Sequence, residues 1–219
     1  FDTSPHPERL GASSFLETYG VRYAYVTGAM ANGIGSEDLV INMARAHMLA
    51  FFGAAGCSLE RIADAIDRIQ DAVGELSYGF NLIHSPAEPE LEAAVVDLYL
   101  ARGVRTVSAA AYLELTVPVV KYRVTGLYRD DAGQVVAPNK VMAKVSRAEV
   151  AARFLAPPPA NLLKTLVSTG QITPAEAELA AELPMADDIT AEADSGGHTD
   201  NRSLVLLLPS LIAQRDAAQ

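Results

Sequence analysis

The sequence predicts an α/β fold in which parallel strands alternate with helices, a rhythm that extrapolates to a (β/α)8 barrel with about its first five units present. Three observations point there. The strand-like runs, such as Phe80-Asn81-Leu82-Ile83 and Val141-Met142-Ala143, are apolar on both faces, which suits a sheet covered by helices. The segments between them repeat apolar residues at helical spacing. The runs end in glycines or other small residues, the turn chemistry of a strand feeding a crossover.

Taken in order, residues 1–21, with Pro5 and Pro7, read as an irregular N-terminal leader, and 22–219 as the partial barrel. The first strand covers 22–27 and is closed by Gly28. Ser36 can N-cap a helix whose stripe of Leu39, Val40, Met43, Ala44, His47, Met48 and Phe51 runs up to Gly53. A second helix starts at Ser58, with Leu59, Ile62, Ile66, Ile69 and Val73 on one face. The second strand is 78–83. A helix over 89–102 follows, with Gly103 as its C-terminal cap, and then a third strand over 104–109. Residues 112–127 fit a helix or a strand. Helix is preferred, because Pro118 suits a first turn and a parallel unit needs a crossover. Asp130-Asp131-Ala132-Gly133 signals a turn, and 140–145 is the fourth strand. After Pro157-Pro158-Pro159, residues 157–187 break the rhythm as a helical insertion between strands four and five, its second helix capped by Thr173. The fifth strand is 188–193, and a last helix covers 204–213. Five units in about 190 residues extrapolate to a barrel of roughly 300, so the chain is expected to be a fragment or to be completed by another chain.

The formal charge of −10 argues against nucleic acid or an anionic membrane as partner, since the mean field repels both. A local basic patch is still compatible with an acidic carrier protein. Cys57 is the single cysteine, so no intrachain disulfide is possible and a reducing compartment is expected. No apolar run reaches the length of about 18 residues that a membrane span needs, and the N-terminus lacks a signal-peptide core. A cytoplasmic protein is expected.

In a parallel barrel the site lies where the strands end, and four strand ends are unusual. Gly28-Ala29-Met30-Ala31-Asn32-Gly33-Ile34-Gly35 is either a plain tight turn or a place where backbone approaches a flat ligand. It is not the dinucleotide fingerprint. Asn81, in an apolar strand, is either satisfied by backbone or paired to a heterocycle edge, since an amide both donates and accepts. Lys144, near the end of a buried strand, either snorkels or faces an anion such as a reduced flavin near N1. Glu192-Ala193-Asp194-Ser195-Gly196-Gly197-His198 places two glycines between an acidic strand end and an imidazole able to move a proton near neutral pH. His6, His47 and His84 have no comparable setting, and His47 reads as a residue inside a helix. No metal-ligand spacing and no nucleophile elbow is present, and Cys57 reads as a small hydrophobe.

Together, 21–34 (Val21-Arg22-Tyr23-Ala24-Tyr25-Val26-Thr27-Gly28-Ala29-Met30-Ala31-Asn32-Gly33-Ile34), Gly79-Phe80-Asn81-Leu82, Ala143-Lys144-Val145-Ser146-Arg147 and the stretch from Glu192 to Arg202 resemble the PfaD-type trans-acting enoyl reductases of polyunsaturated fatty acid and polyketide synthases. These are relatives of nitronate monooxygenase and of the flavin-type enoyl-carrier-protein reductase. The resemblance implies an FMN-containing TIM barrel, NADPH as donor, and an enoyl thioester on an acyl carrier protein as acceptor within a synthase complex. It implies that Gly28, Ala29, Met30 and Ala31 contact the isoalloxazine, that Asn81 hydrogen-bonds it, that Gly196 and Gly197 pass beside it, and that His198 is the active-site histidine. The later glycine-rich motifs of the family, which bind the FMN phosphate, are not in these 219 residues. Two other readings are a nitronate monooxygenase-like flavoprotein and a non-catalytic docking or scaffold domain. The oligomeric state is open, a homo-oligomer included.

Overall fold

A computed structural model describes residues 6–193 and 203–218. The chain forms two compact units that divide between Asn81 and Leu82.

The first unit begins where an irregular leader is expected, yet Ser13–Tyr19 form helix α1, terminated by Gly20 at φ 61°. Strand β1 is short, Val26–Thr27. Helix α2 (Glu37–Arg45) starts as expected at Ser36, whose hydroxyl accepts the Leu39 N–H at 3.3 Å. It does not continue to Phe51. His47 adopts φ 57° just past its end, and Leu49–Phe52 are strand β2, buried at all four positions. A stretch buried on every side suits a central parallel strand and not one face of a helix. β2 runs parallel to β1 (Val26 opposite Leu49) and to β3 (Gly79–Ile83; Phe52 opposite Phe80). Helix α3 (Leu59–Val73) is capped by Ser58, which accepts the Arg61 N–H at 3.2 Å. It lays Ile62, Ile66 and Ile69 into a core with Phe51, Phe52 and Phe80, all essentially inaccessible. The first three residues of β3 belong to this unit, and Leu82 and Ile83 to the second.

The second unit continues with α4 (Pro89–Ala101), after which Gly103 takes φ 68° as the expected stop signal, and β4 (Thr106–Ala110). The ambiguous stretch is a helix, α5 (Val117–Val124). Thr116 caps it and Pro118 sits in its first turn, where the missing N–H costs nothing. The turn at 130–133 closes a small antiparallel hairpin of β5 (Tyr128–Arg129) and β6 (Val135–Val136). β7 (Lys140–Val145) lies parallel to β4 on one side and to β8 (Asp188–Ala191) on the other. Helices α6 (Ala148–Leu155), α7 (Ala160–Ser168) and α8 (Pro174–Leu179) come between β7 and β8, the last opened by a reciprocal Thr173–Glu176 capping box. The final helix α9 (Leu204–Ala218) runs past the expected end at 213. The hairpin aside, six strands are present among the described residues where five are expected, because the spacing of β2 mimics a continuation of α2. No helix among them is long and apolar enough to cross a membrane.

Candidate active site

In the second unit, β4, β7 and β8 end together around a cleft of about 270 Å³ whose walls include Ala111, Tyr112, Lys144, Arg147 and Glu192. The register explains why the two charges meet. Lys144 lies opposite Thr190, and period-two alternation puts Glu192 on the same side of the sheet as Thr190. The ammonium of Lys144 stands 2.7 Å from Glu192 Oε1, with the two side chains 27% and 5% exposed. A buried carboxylate is tolerated only with such a partner. Lys144 therefore does not simply snorkel: its head is fixed at the cleft by an anion behind it.

Beside this pair is a second polar group that no sequence spacing reveals. Glu92, in the first turn of α4, is 3% exposed. Its carboxylate takes the Tyr112 hydroxyl at 3.0 Å, the Thr116 hydroxyl, and His84 Nδ1 at 2.9 Å. The His84 ring stacks on Tyr112 with centroids 5.3 Å apart. Burial, and then the Glu92 charge, push the Tyr112 phenol well above its usual range, so it stays a donor. Ala111, between β4 and Tyr112, holds φ 63°, a left-handed backbone that a residue with a Cβ adopts only under constraint. His84, which the sequence does not set beside His198, lies one residue beyond β3. The rule that singles out Lys144, proximity to a strand's C-terminal end, applies to it equally.

In the first unit, the loop after β1 is held by its own backbone. Asn32 N–H donates to Ala55 O at 2.7 Å, Gly33 N–H to Gly53 O at 2.9 Å, and Gly35 N–H to Met30 O at 3.0 Å. Gly53 is required there, because a Cβ would fall 1.6 Å from Met30 O. Gly28, by contrast, has nothing within 4 Å of where a Cβ would be. Gly28, Met30 and Ala31 are exposed and Ala29 half-buried. Glu37, at the start of α2, forms a bidentate pair with Arg61 at 2.6 and 2.9 Å, and the guanidinium lies over Phe52. The Arg61 hydrogen bonds hold the Glu37 carboxyl below its ordinary range. Asn81 is buried in β3, 7% exposed, and already engaged within the protein. His47, expected inside a helix, is an exposed loop residue whose carbonyl accepts the Arg22 N–H.

No protein-family model matches the chain. It is 48% identical to a polyunsaturated fatty acid synthase polypeptide of a Thraustochytrium species over 94% of its length and 14% of that protein. It is 44% identical to the polyketide biosynthesis protein PksE of Bacillus subtilis over 95% of its length and 27% of that protein. The crystal structure of the enoyl reductase domain of MlnA, from the macrolactin cluster of Bacillus amyloliquefaciens, superposes with a TM-score of 0.92 at 39% identity, covering 96% of this chain and 48% of that one. The chain is similar to these proteins over nearly its whole length, which bears out the resemblance to the PfaD-type reductases. It spans about half of the solved reductase domain and a smaller share of the two synthase proteins. Of the positions that the resemblance singles out, Lys144 is brought into direct contact with Glu192, and residues 28–31 open a loop whose later residues Asn32, Gly33 and Gly35 are stitched to the segment after β2. Gly196, Gly197 and His198 lie outside the described residues.

Proposed function

We propose that the full-length protein reduces the carbon–carbon double bond of enoyl thioesters carried by an acyl carrier protein, with FMN as cofactor and NADPH as donor, inside a fatty acid or polyketide synthase. The observation that carries this reading is the cleft at the strand ends with its fixed Lys144–Glu192 pair, in a chain homologous to a synthase enoyl reductase domain. Flavin, when bound, supplies the hydride that goes to the substrate's β-carbon.

The residues present fit such a group. An exposed loop of small residues with open space at Gly28 accommodates a flat ring. A cation held at a cleft favours negative charge developing on its occupant. In this proposal residues 28–31 and Asn81 form contacts to the ring, Lys144 offsets its charge, and Gly196 and Gly197 pass beside it. His198 polarises the thioester or supplies a proton. Glu192 keeps the ammonium in place and has no direct part in the chemistry.

The test is the absorption spectrum of the purified full-length protein. The expected result is a flavin spectrum that NADPH bleaches and a crotonyl thioester restores. A colourless protein, or one that oxidises nitroalkanes while ignoring enoyl thioesters, overturns the assignment.

A further inference from the structure

We propose that His84, aimed by Glu92, is the proton donor to the substrate's α-carbon. This rests on the enoyl-reductase reading and, of the two roles proposed for His198, leaves it that of polarising the thioester. Glu92 is a buried carboxylate on which three donors converge, and the imidazole is one of them. Because that acceptor takes Nδ1–H, the ring is fixed in one tautomer and Nε2 is the atom left to carry a transferable proton. The plane of the ring is set by its stacking on Tyr112, which itself lines the cleft. The left-handed turn at Ala111 and the bond from the His84 N–H to Ala110 O at 3.1 Å tie the imidazole to the end of β4.

His84 is 21% exposed at its side chain and Glu92 2%. The carboxylate is thus sealed, and the imidazole is accessible. That asymmetry is what a proton-transfer pair needs: one member holds orientation and charge, the other meets the reactant. The step balances. Hydride adds to the β-carbon, the electron pair of the double bond moves to the α-carbon and thioester oxygen, and the enolate then takes a proton from Nε2 of the imidazolium. A new C–H bond forms, the N–H bond breaks, and the neutral imidazole, left with its Nδ1–H on Glu92, is reprotonated at Nε2 from water.

The experiment follows both half-reactions of the full-length flavoprotein by stopped flow, with NADPH and then with crotonyl-pantetheine. His84→Gln should leave flavin reduction by NADPH within about twofold of wild type and slow reoxidation by the thioester by roughly 10²–10⁴-fold, the usual worth of general acid catalysis. His84→Asn keeps an N–H toward Glu92 without a transferable proton and should be equally slow. That separates proton delivery from mere support of Glu92. Histidine-selective ¹⁵N spectra provide a readout independent of turnover: the neutral wild-type ring should be in the Nδ1–H form, and Glu92→Gln should release it to a mixture. Reoxidation at the wild-type rate in either His84 variant overturns the proposal, as does a tautomer mixture in the wild type. A wild type that reduces no enoyl thioester at all removes the function itself, a different failure from an active enzyme indifferent to His84.

Discussion

The two ends of the sheet in the second unit are both built from buried ionic groups, yet they are finished differently. At the N-terminal ends of β4, β7 and β8, the cluster is knit together by protein groups. Arg123, 3% exposed, donates to Asp187 Oδ2 at 2.8 Å, to the Asn139 carbonyl at 2.9 Å and to the Pro184 carbonyl at 3.1 Å. Asp187 Oδ2 also takes the Val141 N–H. Asn139, fully buried, donates to the Tyr122 and Thr125 carbonyls and accepts from Arg105. Asp187, the anion of that cluster, is itself 21% exposed. At the C-terminal ends the buried members are instead the carboxylates Glu192 and Glu92, each paired with a partly accessible side chain, Lys144 or His84. At one end the buried cation is spent entirely on protein acceptors. At the other the carboxylates are the buried members, and Lys144 reaches a cleft. Closed networks specify and hold a fold; half-open ones hold a reactive group in place and wait for a ligand, which is where parallel α/β folds put their chemistry.

The largest effect expected from that contrast is on stability, at the closed end. Arg123→Met removes a buried guanidinium from three acceptors at once, the partly exposed Asp187 carboxylate and the Asn139 and Pro184 carbonyls, a loss that should cost about 3–5 kcal/mol. Urea unfolding of the full-length protein should show a loss of that size. If the loss is below about 1 kcal/mol, the cluster is not what fixes the strand entrances, and the contrast between the two ends fails.

At the open end the same kind of deletion should act differently. Lys144→Met leaves Glu192 without its cation but still beside a cleft that water can enter, so the stability cost should be smaller, about 1–3 kcal/mol for a buried group that loses its partner. Adding Glu192→Gln should recover most of it. The functional readout moves the other way: a bound flavin should become harder to reduce by tens of millivolts, where about 30 mV in a two-electron couple corresponds to 1.4 kcal/mol. An unchanged midpoint potential with the flavin retained makes Lys144 a structural partner of Glu192 and nothing more.

The α/β class, the caps at Ser36, Ser58 and Thr173, and the resemblance to synthase enoyl reductases are all legible in the sequence. Strand β2 is not. Met48 and Phe51 happen to continue the stripe of α2, and the period of 3.6 hides a four-residue apolar run closing on Gly53 that reads equally well as a buried strand. Only tertiary burial decides between them. Lys144 stands out because a lysine in an apolar strand is costly on its face. Its partner does not, since pairing across β7 and β8 depends on register. The His84–Glu92 pair is hidden for a different reason. The seven residues between them cross a loop and a helix start, and no helical or strand spacing brings such positions together.

The smallest effect, and the sharpest test of the contrast, is at Ala111. Among the described residues of the second unit it is the one non-glycine with positive φ, and it sits at the open end. Left-handed backbone costs an L-residue roughly 1–2 kcal/mol, and strain of this kind persists where surrounding structure over-determines it. Ala111→Gly removes the strain but adds about 0.5–1 kcal/mol of unfolded-state entropy against the fold. The net should be a gain of up to about 1.5 kcal/mol in unfolding free energy. The same change loosens the turn that sets Tyr112, and through Tyr112 the carboxylate of Glu92 and the imidazole stacked beside it. Stability should therefore rise slightly while reoxidation by crotonyl-pantetheine slows several-fold. Thermal unfolding and stopped flow on the same preparation measure both. A variant that gains stability and keeps its full rate shows the strain at Ala111 to be incidental; one that loses stability shows that φ 63° is no burden there, and the open end is then no more strained than the closed one.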